Sequence, residues 1–336
     1  MKRLAYAEPQ PHTLCMTMDV DCGVNDVTAV GGRQIGVEDL YAAPTFERAL
    51  PRYLDLAAAH SVPTTFFMVA ASVSTPERKV LLRRMAQAGH EIACHTLTHP
   101  KNLGHCDAET LRSETAGAKR MLEDIIGAEV VGFRAPGFFI NDRVSHALRE
   151  AGFRYSSSVN NAIVYNATKV LFSLGRQLSR RPNAFYHVEP GALLAPGYPY
   201  SQHPASFWRR SANGGLLEIP TSTDALRLIP SVTFALDLML PGWVRERFLR
   251  LLIARSSLIN IVLHDFEFLQ ASDFPSETPL PLTTSLMTRM DPARNSARYC
   301  LVAAAAQNKR RIPLKALVAS ERADGGAKTA AARDHA

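Results

Sequence analysis

"GHEIACHTLTHP" (residues 89–100) sets a glycine, a short strand-like run and two histidines in direct succession. Gly89 stands where a helix opened by Pro76 needs its C-terminal cap, and "EIAC" then reads as a strand leading into His95. Helix, strand and a polar group at the strand's end form one step of a βα repeat. The same order recurs on both sides. Upstream, "TLCMTMDVD" (13–21) alternates at period two and ends on Asp19 and Asp21. A helix follows from about Thr45 to His60, with Phe46, Leu50, Tyr53, Leu54 and Ala57 on one stripe, and "TTFFMVA" is a second strand. In the helix from Pro76, Val80, Leu81 and Met85 are expected to face inward.

Downstream, Asp107 caps a helix carrying Leu111, Ala118, Leu122 and Ile125, closed near Gly127, and "VVGF" (130–133) runs into Arg134. Asn141 caps "DRVSHALREAG", and "FRYSSSV" is a fifth strand. "LLEIP" (216–220), "INIVLH" (259–264) and "RIPLKAL" (311–317) supply further strands. Strands alternating with helices of this length predict an α/β fold with a parallel sheet or barrel. Such folds place their reactive groups at the C-terminal ends of the strands. Asp19 and Asp21, His95 and His99, Arg134, and His264 all fall at predicted C-terminal strand ends. Singly, each has an ordinary reading as a cap, a surface ion pair or a core histidine. Structural acids and core histidines have no reason, however, to choose the same end of every strand.

The 336 residues are 46% hydrophobic and 21% charged, the balance of a globular enzyme, and suffice for one large α/β domain or two smaller ones. No apolar run reaches the roughly 20 residues of a membrane span. The opening "MKRLAYAEPQPHT" lacks the continuous apolar stretch of a signal peptide, so a cytoplasmic location is expected. Five cysteines, an odd number without a CxxC pair, predict free thiols rather than a disulfide framework or a thiolate zinc site. The net charge of +7 favours anionic partners, but no aromatic residues interleave with a basic stripe, and nucleic acid is not expected.

Two carboxylates two apart on a strand share a side. Asp19 and Asp21 with His95 and His99 thus offer a two-histidine, one-carboxylate set suited to zinc or another divalent first-row ion, with positions left for water and substrate. The remaining aspartate is free to act as a base. Arg134 supplies a fixed cation able to pair with Asp19, and His264 is placed to protonate a leaving group.

"TMDVDCG", "HTLTH", "FRAPGF", "YSSS" and "IVLH" resemble, in this order, the motifs of the polysaccharide deacetylases, the NodB homology domain of carbohydrate esterase family four. The resemblance runs from about Thr13 to His264. It implies a distorted, incomplete TIM-like (β/α) barrel, one divalent metal, most simply zinc, and removal of an N-acetyl or N-formyl group from an amino sugar. By motif it makes Asp19 the general base, Asp21, His95 and His99 the metal ligands, Arg134 the partner of the base and His264 the general acid. It also makes Gly137 an oxyanion donor through its main-chain N–H, with Phe138 beside it at the substrate. Three departures stand out. Val20 separates the acids, Gly137 replaces the usual aromatic, and Ser156 stands where many members have an acid, leaving Asp265 or Glu267 to orient His264.

Expected boundaries are an N-terminal extension (1–12), one catalytic domain (13–317) with an elaborated region at 160–214, and a disordered tail (318–336). Tyr198, Tyr200, Phe207 and Trp208 of that region either line a substrate groove or form a small core of their own. The expected partner is an N-acylated amino sugar or oligosaccharide, free, nucleotide-linked or lipid-linked. Alternatives are a ureide-type amide or a non-catalytic carbohydrate-binding role. The helix "GWVRERFLRLLIARS" (242–256), with Trp243, Phe248, Leu251 and Leu252 opposite its arginines, either rests peripherally on a membrane or packs inward as a barrel helix.

Overall fold

Strand β1 (Thr13–Val20) is buried along its whole length, because both of its faces are covered. Its alternation sorts the side chains into two layers. Leu14, Met16, Met18 and Val20 pack outward against the helices, while Cys15 joins Phe67, Ala93, Tyr155 and Ile219 in a second cluster inside the curled sheet. Thr17 and Asp19 continue that inner row toward the C-terminal end of the strand.

The computed structural model describes residues 12–22, 42–100, 102–178, 189–212, 215–274 and 292–318. Most of the glycine-rich stretch after β1, the N-terminal extension apart from His12, and the tail beyond Val318 lie outside the described residues. Parallel to β1 run β2 (Thr64–Met68), β3 (Glu91–Cys94), β4 (Gly132–Phe133) and β5 (Tyr155–Ser156), each paired with its predecessor. An antiparallel hairpin, β6 (Tyr200–His203) and β7 (Ser206–Arg210), extends the edge from β8 (Leu217–Glu218), which pairs with β5. On the other side of β1 lies β9 (Leu258–His264), and β10 (Arg310–Arg311) pairs with the start of β1. Between β8 and β9 the barrel is stitched by Ser222 N–H to Asn260 O at 3.3 Å and a bridge between Val232 and Val262. The result is the expected distorted (β/α) barrel, incomplete at this seam.

Helices α1 (Leu50–Ala59), α2 (Pro76–Gln87), α3 (Ala118–Ile126) and α4 (Asp142–Glu150) cover the outside in the predicted order. The Asn141 cap is present, its Oδ1 accepting the Val144 N–H at 2.9 Å. Gly89 has φ +90°, as its capping position requires. Gly132 serves close packing instead, since a Cβ there would lie 2.2 Å from the Tyr155 ring. Of the residues expected to face inward from α2, Met85 is buried and Leu81 packs against the core, but Val80 is exposed. Arg78, Leu82 and Met85 are buried at helical spacing, which carries Val80 round to the exposed side.

The 160–214 region is described except at residues 179–188 and 213–214. Its described part holds α5 (Ile163–Leu178) and the β6–β7 hairpin. Tyr200 and Phe207 belong to the main core, so they do not line a groove. Following α6 (Thr233–Met239), α7 (Gly242–Arg255) packs against α8 (Pro292–Ala305). Leu249, Leu252 and Ile253 of α7 are buried, which is the barrel-helix alternative. Trp243 and Leu251 remain exposed. Among the described residues no helix is long and apolar enough to cross a membrane.

Candidate active site

The strand ends gather the predicted side chains. Asp19 closes the inner row of β1 and Asp21 follows directly. His95 and His99 stand on the loop after β3, Arg134 after β4, and His264 ends β9. All six are buried, although all six are polar. Burial of so many ionisable groups is tolerable only where each meets a partner.

His95 Nε2 lies 3.3 Å and His99 Nε2 3.6 Å from the same Asp21 Oδ1, and the three donor atoms fall within 4.8 Å of one another. A tetrahedral ion with ligands at zinc distances has donor separations of about 3.3 Å, so the set fits such an ion with little adjustment. His95 Nδ1 bonds the Arg134 main-chain oxygen at 2.7 Å, which puts the ring proton on Nδ1 and leaves the Nε2 lone pair facing Asp21. Burial works against charge here. Even so, His99, His95 and His264 hold the Asp21 carboxyl well below the usual carboxylate range. The surrounding carboxylates, with the Arg134 carbonyl, raise His95 despite its burial. The cluster therefore favours positive charge at its centre, the property a cation site requires.

The histidine loop is held in an unusual shape. Thr96 and His99 both have left-handed backbones, φ +71° and +63°. Thr96 Oγ1 accepts the His99 N–H at 2.9 Å. Glu114 Oε2 accepts the N–H groups of Leu97 and Thr98 at 2.9 Å each, and Oε1 the Thr98 hydroxyl at 2.5 Å. Glu114 was not legible in the sequence, because it sits in a helical stretch where a glutamate ordinarily faces water. A π turn over Ser113–Gly117 interrupts that helix, and Glu114 and Thr115 within it are buried. Glu114→Gln should lower zinc affinity by about 10- to 100-fold, the usual cost of losing a support behind the ligands. Competition with a chromogenic chelator measures this. Unchanged affinity would mean that the main-chain hydrogen bonds from Ala70 N–H to Thr96 O and from Ala71 N–H to Leu97 O, each 3.0 Å, suffice to hold the loop.

Arg134 is fully buried and its guanidinium is shared out. Nη1 donates to Asp19 Oδ1 at 2.6 Å and Thr17 Oγ1 at 3.0 Å, Nε to Ser157 O at 2.9 Å and Nη2 to Ser157 Oγ at 3.0 Å. The Phe67 ring lies 4.1 Å beneath it. Asn260 of β9 donates in turn to Ser157 Oγ at 3.0 Å. One carboxylate oxygen of Asp19 is thus fixed, and the other lies 3.8 Å from His264 Nε2.

Of the two acids left open for orienting His264, Glu267 faces it. Glu267 Oε1 accepts the His264 main-chain N–H at 2.7 Å and lies 3.7 Å from Nδ1. Behind it, Glu267 is held by the Thr233 hydroxyl at 2.7 Å and by Arg298 Nη2 at 2.6 Å, and Arg298 also pairs with Asp237. Asp265 turns away, accepting from Cys22 N–H at 2.8 Å and Thr45 Oγ1 at 2.9 Å. Burial and the Asp21 charge push Asp265 up to about 6. The place opposite Ser156 is filled from the neighbouring strand by Glu218, whose Oε1 accepts the N–H groups of Ser158 and Val159 at 2.8 Å each.

Burial pulls the His264 pKa down, but Glu267, Asp19 and Asp21 outweigh it and raise the value from 6.5 to about 9. A folded value above the unfolded one stabilises the fold fully below about pH 6.5, and this contribution is lost as pH rises through about 9. Metal-free protein should therefore lose on the order of 2–3 kcal/mol more stability than its His264→Gln variant between about pH 6.5 and 9.5. Denaturant titration at the two pH values checks it, and equal losses would contradict a protonated His264.

Gly137 and Phe138 form a consecutive left-handed pair, each with φ +59°, on the loop after Arg134. The Gly137 carbonyl accepts the Lys169 ammonium of α5, and Phe138 packs edge-on against Tyr165 of the same helix, 6.1 Å between centroids. Phe234 stands edge-on to His264, with 4.6 Å between the ring centroids.

Residues 37–156 match the sequence profile of the family described as polysaccharide deacetylase. A chitooligosaccharide deacetylase of Sinorhizobium fredii (strain NBRC 101917 / NGR234) is 37% identical over 103 residues, 30% of this chain and 46% of that protein. The chain thus spans about half the length of this relative. A putative polysaccharide deacetylase from Mycobacterium smegmatis shares the fold with TM-score 0.58 at 19% identity, over 96% of this chain and 94% of the other. Puue allantoinase does so with TM-score 0.55 at 16% identity, over 93% and 91%. Over residues 37–156 and in the motifs on its strand ends, this chain is similar to the polysaccharide deacetylases.

Proposed function

We propose that the chain is a metal-dependent hydrolase removing an N-acetyl or N-formyl group from an amino sugar in a saccharide or lipid-linked glycan precursor. The observation that carries this reading is Asp19, held by Arg134 on one oxygen and facing His264 with the other, directly beside the Asp21, His95 and His99 donor set. A divalent ion such as zinc, held by those three, supplies a Lewis acid and brings bound water to a pKa of about 7.

The chain's own residues divide the remaining work. Asp19 takes a proton from the water that attacks the amide carbon, and Arg134 keeps its carboxylate in line. The Gly137 N–H is assigned to the oxygen that gains negative charge. His264, protonated and steadied by Glu267, gives its proton to the departing nitrogen as the C–N bond breaks. The products are the carboxylic acid and a free amino sugar. Phe234, only partly buried beside His264, gives the cleft an apolar face on which a sugar ring can lie.

All five cysteines are unbonded, and three are buried, which supports a reducing compartment and a cytoplasmic substrate. The test is acetate and formate release by the zinc-loaded chain from chitooligosaccharides, a nucleotide-linked N-acetylamino sugar and a lipid-linked N-acylamino sugar, with a ureide as the contrasting amide. Turnover of the ureide alone would replace the sugar reading. Zinc binding without turnover of any of them would leave a carbohydrate-binding protein.

A further inference from the structure

We infer that the rim of this cleft formed by α5 and two neighbouring turns docks on an anionic lipid surface. Most of the large apolar side chains left exposed among the described residues fall in three segments that touch one another. Ile163 and Leu171 lie on α5, Leu194 and Tyr198 follow the short helix Pro190–Leu194, and Leu226 and Leu228 sit on one turn. Leu171 and Leu194 are each 67% exposed and Leu226 72%. Apolar groups scattered singly need no explanation, but a contiguous group does.

Hydrogen bonds join the segments into one face. Ile163 N–H donates to Arg227 O at 2.7 Å and Val164 N–H to Leu228 O at 3.1 Å. Arg227 Nη1 and Asn161 Nδ2 both donate to Ala195 O, at 3.0 and 3.2 Å. The leucines are displayed by a built turn rather than a loose one. Asp224 accepts the N–H groups of Leu226, Leu228 and Ile229 at 3.0, 2.8 and 2.6 Å, and Arg227 adopts φ +56° to complete it.

Charge selects the occupant. Pro190–Leu194 packs on β7 at Trp208, against whose ring Gly191 has no room for a Cβ, and the exposed Arg209 and Arg210 follow Trp208 on that strand. Arg227 stands between Leu226 and Leu228 and reaches Ala195 beside the short helix, while the Asp224 carboxylate is engaged by backbone N–H groups. Apolar side chains bordered by arginine match a bilayer surface with anionic head groups. The same helix turns Tyr165 toward Phe138 at the cleft, so a docked face sets the cleft mouth against the head-group layer. That link to catalysis rests on the proposed hydrolase reading, whereas the docking itself does not.

The experiment floats the full chain with phosphatidylcholine vesicles and with vesicles containing phosphatidylglycerol. Flotation with the second only is expected, falling at least about 10-fold in Leu171→Asp/Leu226→Asp and weakening with salt, while Trp243→Asp on α7 floats as the parent does. Circular dichroism melts and turnover of a soluble chitooligosaccharide should not change in the double variant. Failure of the parent to float, equal binding to both vesicles, or undiminished binding of the double variant overturns the inference. So does a dimer in light scattering that the double variant dissolves, because a second copy would then be the occupant. An inactive parent that still floats defeats the hydrolase reading alone.

Discussion

Asp19→Asn should abolish measurable turnover while leaving bound zinc at one equivalent, and His95→Ala should lose both. Asparagine keeps an oxygen for Arg134 Nη1 and nearly the same volume, but its amide cannot take a proton from water. Removing a positioned base of this kind costs about 10²- to 10⁴-fold in rate. His95 contributes a donor atom 3.3 Å from Asp21 Oδ1, and its loss leaves two protein ligands where a stable site uses three. Elemental analysis of the two proteins beside the acyl-release assay separates the roles. Equal loss of zinc in both variants would make Asp19 a ligand and remove the base from the proposed mechanism.

Arg134→Met should be the most destabilising single change at the site. The guanidinium has no exposed surface and donates to Asp19, Thr17 and Ser157, so methionine leaves a buried carboxylate and a carbonyl without their donors. Breaking a buried pair from one side costs about 3–5 kcal/mol, which for a chain of this size lowers the melting temperature by about 4–7 °C. Arg134→Lys should recover part of the stability, since one ammonium can reach Asp19 but cannot also reproduce the fork to Ser157. A melting temperature for Arg134→Met within about 2 °C of the parent would show that water or rearrangement replaces the guanidinium.

The barrel was legible because its signals are local. Period-two alternation in residues 13–21 specified which side chains enter the sheet's interior, and Asp19 follows Cys15 and Thr17 there. Capping residues marked the helix starts at Asp107 and Asn141. Where a signal was not local, the reading failed or stayed open. Val80 looked like the inward residue of α2 until packing chose the Arg78, Leu82 and Met85 stripe. For Tyr200 and Phe207 the choice between groove and core stays open in the sequence, because burial of a loop-flanked aromatic depends on whether its strand joins the sheet, and β6 does.

Backbone pattern alone determined the order of strands and helices, and with it the collection of two aspartates, two histidines, an arginine and a histidine on one end of a parallel barrel. Side-chain periodicity is a property of neighbouring residues, so a single chain suffices to read it. Only the tertiary structure decided that Glu267 rather than Asp265 faces His264, that Glu114 holds the histidine loop, and that Ser157 and Asn260 complete the hold on Arg134. Each of those choices depends on which buried donor lies within about 3 Å of a carboxylate or hydroxyl, and such donors come from segments far apart along the chain.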